Sequence, residues 1–283
     1  MNTKHLKRQL RQLLRVYIPL LPYLLFALFP FYFMVITALK SNPEIYDVQA
    51  VPFLIRKGVT FEHFLLLFQK TLFNNWFLNS LFVSSLSTII SVLMGILAAY
   101  SLARLKFWGV EGFGVAIFIT YLVPPSLLFL PLAEVVQKLG LTDSLWSLVL
   151  TYPTFLVPFS TWLLMGYFRT VPKEVEECAM IDGCNRLSAL FRIVVPMAIP
   201  GIVCAVLFGF AVCWNEFLYS LVFVSPAESK TLTVGIFSEL IRGDIYYWGS
   251  LLAGAIIGGL PIVIVYALFM DYYVSGLTAG AIK

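Results

Sequence analysis

Residues 172–196 read PKEVEECAMIDGCNRLSALFRIVVP, a compact charged stretch in a chain that is otherwise mostly apolar. Its local grammar is helical. Pro172 suits a first helical turn, where its missing N–H is no loss. Glu174, Glu176 and Glu177 follow in the early turns, where negative charge complements the helix dipole. Gly183 stands where a helix stops, because glycine tolerates the left-handed conformation that ends one. Asn185 can cap a second helix, in which Leu187, Leu190, Phe191 and Val194 follow the i, i+3, i+4, i+7 spacing of one apolar face. The reading is a short helix, a glycine turn and an amphipathic helix running back to Pro196. A tight connection needs only a few residues, yet this segment, 168–197, spends thirty on two helices. That length favours a docking surface over a solvated connection.

The surroundings are lipid-grade. Over 283 residues the chain is 60% hydrophobic and 12% charged, with a mean hydropathy of +0.90. Soluble domains run nearer about one quarter charged, so the expected solvent is a bilayer and the expected unit a single polytopic domain, 1–283. Nothing in MNTKHLKRQLRQLLR and the apolar run behind it reads as a cleaved signal. The net charge of +4 is modest and gives no reason to expect nucleic-acid binding. Cys178, Cys184, Cys204 and Cys213 form no C-x-x-C pair and His5 lies far from His63, so no metal cluster is expected.

Six stretches approach the roughly 20 apolar residues that cross a bilayer: 18–39, 78–102, 113–137, 145–167, 198–224 and 250–273. Pro30, Pro124, Pro125, Pro153 and Pro158 interrupt several, and neighbouring helices can satisfy the backbone groups these free. The fold class is therefore all-α with six transmembrane helices. The candidate inner segments carry twelve Lys and Arg against seven in the outer ones, which places both termini, 1–17 and 274–283, in the cytoplasm. The opening segment is then the largest cytoplasmic loop.

EECAMIDGCNRLSALFRIVVP resembles the EAA loop of ABC importer permeases, whose pattern is E-A-A, three residues, G, then about nine residues to I-x-L-P. Glu177, Cys178 and Ala179 fill the first triplet, Gly183 the glycine, and Ile193, Val195 and Pro196 the close. Cys178 stands for alanine and Val195 for leucine, both small or apolar exchanges. Residues 79–109, the WNEF of Trp214–Phe217 and the terminal SGLTAGAIK (275–283) are similar to the carbohydrate branch, and within it to the MalG-like subunit of maltose-type systems.

The resemblance implies a type I ABC importer permease in a bacterial or archaeal plasma membrane. A coupling helix at about Pro172–Asp182 would sit in a cleft of a separate ATPase, with Glu174, Glu177, Cys178, Ala179, Asp182 and Gly183 at the contact and Glu177 facing a basic residue. Thr278, Ala279 and Gly280 of the tail would form a second contact. The implied partners are a second, similar permease, a dimer of ABC ATPases holding ATP and Mg, and an extracytoplasmic sugar-binding protein. The residues support part of this independently: no G-x-x-x-x-G-K-[ST] stretch occurs, so an ATPase would be another chain, and this one is expected to bind no cofactor and to be no enzyme.

Within the spans, Glu216 beside Asn215 and Trp214 offers either a sugar path, with hydrogen bonds and an aromatic face, or a polar tie between helices. Gly254 and Gly258, and Gly95 with Ala98 and Ala99, read as close-packing faces, in part against a partner permease. Tyr246, Tyr247 and Trp248 read as an interfacial aromatic belt. Competing readings are an importer of a glycerol phosphate or polyol and an ion-driven secondary transporter. The latter wants midplane carboxylates or histidines and inverted repeats, of which only Glu216 is on offer. An intramembrane enzyme fits poorly, since neither His5 nor His63 falls in a span.

Overall fold

The computed structural model describes residues 3–243 and 245–272, which divide into two units. The first comprises Met1–Thr71 and Ser238–Ile257, the second Leu72–Phe237 and Gly258–Lys283.

The first unit opens with α1 (Thr3–Leu39), whose Tyr17–Leu39 portion is long and apolar enough to cross a bilayer despite Pro19, Pro22 and Pro30. Helices α2 (Asn42–Ile45) and α3 (Glu62–Lys70) belong to the connection that follows α1. Two buried charges organise that loop through its backbone. Lys40 donates to the carbonyls of Val51 and Pro52 at 3.0 and 2.8 Å, and Glu44 accepts from the amides of Arg56 and Lys57 at 2.7 and 3.0 Å. His63 of α3 is buried between the Lys40 carbonyl, 2.9 Å from Nε2, and the Ser250 hydroxyl, 3.2 Å from Nδ1. Gly249 lies under the imidazole with no room for a Cβ. A two-residue hairpin of β1 (Ile241–Arg242) and β2 (Ile245–Tyr246) turns at Gly243, φ +60°, within the otherwise helical fold of the described residues. It leads into α15 (Trp248–Leu268), another unbroken candidate span.

The second unit is built on α4 (Phe73–Arg104), 32 residues and so about 48 Å long, more than the roughly 30 Å of hydrocarbon it crosses. It packs along α8 (Pro153–Thr170) and α12 (Ile199–Trp214). The approach to α8 is closest at Gly95, where an added Cβ would lie 2.7 Å from Ser160 Cβ. With α7 (Leu145–Thr151), α8 makes the span Leu145–Thr170.

Two expected spans differ. The stretch 113–137 is not one helix but α5 (Val110–Leu122) and α6 (Pro125–Lys138), bent by 97°. Neither Pro124 nor Pro125 has an N–H to carry the ladder across, and each arm is only about 20 Å long. The stretch 198–224 is likewise broken. Helix α12 ends at Trp214, residues 215–217 leave the helix, and α13 (Leu218–Phe223) follows; α14 (Leu232–Leu240) lies beyond a short 3-10 turn at Ala227–Ser229.

Among the described residues, Tyr17–Leu39, Phe73–Arg104, Leu145–Thr170 and Trp248–Leu268 are long and apolar enough to span, and two bent pairs, Val110–Leu122 with Pro125–Lys138 and Arg186–Met197 with Ile199–Trp214, make up to six. One core cluster joins Val92, Ile96, Tyr100, Leu164, Phe168 and Ala205, and extends to Leu190 and Val194 just before α12. Another joins Val83, Leu148, Tyr152, Cys213 and Tyr219.

Candidate coupling surface and broken span

The charged stretch folds as α9 (Lys173–Ile181), a glycine turn, and a second helical run made of α10 (Arg186–Ala189), a π turn at Leu190–Val194 and α11 (Val195–Met197). Gly183 takes φ +96°, its amide reaches Met180 O at 3.1 Å, and the Cys184 amide reaches Ala179 O at 3.0 Å. This double closure satisfies the last carbonyls of α9 and requires the left-handed residue that glycine supplies. Asn185 caps α10 by accepting from the Ser188 amide at 2.8 Å. At Ala198 the run bends by 81° into α12.

Glu174, Glu177, Cys178, Asp182 and Gly183 are exposed, while Ala179 is buried. The single apolar face expected of the second helix is split. Leu190 and Val194 enter the core against α4 and α8, whereas Leu187 and Phe191 stay exposed. The wider π turn rotates successive side chains off the 3.6-residue stripe. With Val175 and Ile181, the latter 84% exposed, they leave apolar side chains uncovered among the charges of the hairpin. Beside it, a cavity of about 570 Å³ is lined by Lys106, Lys173, Glu177 and Arg186.

In the sequence Glu176 stands only as one of three early-turn acids and Arg104 only as one of the inner-segment cations, and Tyr100 carries no signal. Glu176 shares the inward face of α9 with Ala179, three residues on, and that spacing was the available signal. Arg104 Nε stands 3.2 Å from Glu176 Oε2, out of line for a hydrogen bond, so the attraction is that of an ion pair. Both side chains are at most 5% exposed. Arg104 also donates to Val171 O at 2.6 Å, and the Tyr100 hydroxyl donates to Glu176 Oε1.

At the break in the fifth span the three expected path residues part company. Trp214 is buried, stacked on Phe210 with centroids 5.5 Å apart, met edge-on by Phe77, and bonded through Nε1 to Gly258 O at 2.9 Å. Its ring is therefore covered. The Glu216 carboxylate accepts from the amides of Tyr219 and Ser220 at 2.8 and 3.2 Å and from the Tyr152 hydroxyl at 2.8 Å. Asn215 alone is exposed, bonded back to Ala211 O. Gly258, expected in part at a partner helix, faces Leu232 of the same chain. Tyr246 and Trp248 stack at 5.3 Å with their rings partly exposed. Thr278, Ala279 and Gly280 lie outside the described residues. Among the described residues, no three His, Cys, Asp or Glu side chains are placed to hold a metal ion.

Residues 91–278 match the family model described as "Binding-protein-dependent transport system inner membrane component". The chain is 38% identical to the inner membrane ABC transporter permease protein YcjP of Escherichia coli K12, covering 92% of this chain and 93% of that one. It is 33% identical to the trehalose/maltose transport system permease protein MalG of Thermococcus litoralis, covering 90% and 91%. The fold is similar to a chain in the crystal structure of a bacterial ABC transporter that imports the acidic polysaccharide alginate, with a TM-score of 0.78 over 96% of this chain and 99% of that one, at 20% identity.

Proposed function

We infer the function from one premise: this chain belongs to the family of binding-protein-dependent transport system inner membrane components. It is a multi-pass membrane transport subunit of the ABC permease type. We propose that its cargo is a sugar, from a mono- to an oligosaccharide, and that it forms half of the translocation pathway beside a second, similar permease. The relative from Thermococcus litoralis, named for trehalose and maltose, supports the sugar reading at 33% identity over 90% of the chain. The MalG-like terminal motif SGLTAGAIK points the same way.

The observation that carries the coupling assignment is the exposed face of α9 and its turn. Val175, Ile181, Leu187 and Phe191 are uncovered apolar side chains beside the exposed carboxylates Glu174, Glu177 and Asp182. Such a face fits a protein cleft better than a solvated connection. The chain has no phosphate loop, so ATP and Mg belong to a separate pair of ATPases, which close on ATP and push on α9. Glu177 then pairs with a basic side chain of the ATPase, and the tail around Thr278, Ala279 and Gly280 makes a second contact. An extracytoplasmic binding protein delivers the sugar to the opposite face. Both termini and the hairpin lie in the cytoplasm, the side favoured by the excess of Lys and Arg. Asn215, at the break in the fifth span, is the residue best placed to meet the sugar.

The test is purification of the tagged chain from its native membrane in mild detergent, with co-eluting proteins identified by mass. Recovery of an ATPase and a second permease supports the assignment. A chain that elutes alone and still transports contradicts it.

A further inference from the structure

We propose that Arg104, Glu176 and Tyr100 form a strut that fixes α9 to the inner end of α4, so that the push on α9 moves a membrane span instead of tilting the hairpin. They are positioning residues for transport, and the proposal rests on the importer reading given above.

The geometry is specific. Arg104 is the last residue of α4 and reaches two points of the hairpin, Glu176 Oε2 at 3.2 Å in α9 and Val171 O at 2.6 Å in the lead-in to it. Tyr100, one turn back on α4, donates to the other Glu176 oxygen. Two consecutive turns of one span thus grip one carboxylate. Arg104 and Glu176 are nearly inaccessible, at 4% and 5% side-chain exposure.

A buried pair of this kind is a poor device for stability alone, because desolvating two charges offsets most of their attraction and apolar side chains of the same volume serve as well. What it supplies is direction: a planar guanidinium held at two points resists rotation that a greasy contact would allow. The second helix of the hairpin meets the same span mainly through the apolar Leu190 and Val194, with one long contact of 3.5 Å from the Tyr100 hydroxyl to Arg186 O.

Glu176 and its neighbour Glu177 then have opposite tasks. Glu177, exposed, meets the ATPase; Glu176, buried, hands the movement to α4. The two are separable by experiment in the whole assembly, reconstituted in proteoliposomes with its ATPase and binding protein, reading sugar imported per ATP hydrolysed. Glu176→Gln keeps the side-chain shape but leaves Arg104 without its counter-charge. The expected result is a fall of about tenfold in sugar per ATP, with ATPase retention and ATP hydrolysis near wild type. Tyr100→Phe, which removes one hydroxyl, is expected to lower the ratio in the same direction by a smaller factor. Arg104→Lys, which keeps the charge, is expected to retain more of the ratio than Arg104→Met.

An unchanged ratio in Glu176→Gln and Tyr100→Phe overturns the strut. So does a loss of uptake that merely follows the amount of folded assembly, since that is what a structural role predicts. A wild-type assembly with no ATP-driven import overturns the importer reading and the strut with it, whereas a working wild type with an unaffected Glu176→Gln overturns the strut alone.

Discussion

Tyr152, between α7 and α8, donates its hydroxyl to the Glu216 carboxylate at 2.8 Å, and the same carboxylate receives the Tyr219 and Ser220 amides at the start of α13. One acidic side chain therefore closes the break in the fifth span and ties it to the fourth. Glu216→Ala removes the cap and leaves the Tyr152 hydroxyl buried without its acceptor. The expected loss is about 3 kcal/mol from these two effects together. Glu216→Gln, which keeps an acceptor, should cost less. Thermal unfolding of the purified protein in detergent, monitored by intrinsic fluorescence, reads both. An Ala variant as stable as wild type would remove Glu216 from this structural role and return it to the sugar path.

The approach of α4 to α8 at Gly95 and Ser160 allows no Cβ on the glycine. Gly95→Val should destabilise the protein by about 2 kcal/mol or more through overpacking. Removing the opposing Cβ with Ser160→Gly should recover part of that loss. A double-mutant cycle on melting temperature tests the coupling, and additivity of the two changes would place the contact elsewhere.

Glu177 is exposed on α9, so Glu177→Ala should change the unfolding free energy by no more than the small amount typical of surface changes, about 0.5 kcal/mol. Its expected effect is on assembly: less ATPase retained through purification and lower uptake in membranes. Full ATPase retention and full uptake would refute the docking role given to it.

The loop after α1 has a pH dependence of definite sign. The Glu44 carboxyl is held below its usual 4.5, chiefly by the Arg56 amide, with further help from the Lys57 amide and the Lys40 charge. A lowered folded-state pKa means that the stabilisation is fully present above about pH 4.5 and is lost as the pH falls through the lower folded value. Hydrogen exchange across residues 41–57 should accordingly be flat from pH 8 down to about 4.5, after correction for intrinsic rates, and rise below it. Glu44→Gln should show the raised exchange at every pH. Exchange that rises already between pH 7 and 5 would point to a different group.

Much of this molecule was legible because a bilayer imposes length and polarity on whatever crosses it. The apolar runs at 18–39 and 78–102 each fall within one helix, that at 145–167 falls within α7 and α8, and that at 250–273 coincides with α15 as far as Leu268. Helix ends carried by local chemistry, such as Gly183 and Asn185, were equally open to reading, since their partners lie within a few residues. The broken spans were not. Proline marks where a helix can bend, but whether Pro124 and Pro125 give a kink or a 97° turn depends on the helices packed around them. The site residues show the same limit. That Trp214 is covered by Phe77 and Phe210, and that Glu176 rather than a neighbouring glutamate turns inward to Arg104, are long-range facts. Composition at 214–217 is silent on the first, and the Glu176–Ala179 spacing marks an inward face without naming Arg104.

The central claim, that this chain moves sugar under the power of a separate ATPase, is tested most directly by uptake of a labelled disaccharide into proteoliposomes holding the co-purified assembly. Uptake should require ATP on the side that carries α9 and the binding protein on the opposite side, and should persist when ion gradients are collapsed. Uptake that proceeds without ATP and vanishes with the ion gradient would contradict the account.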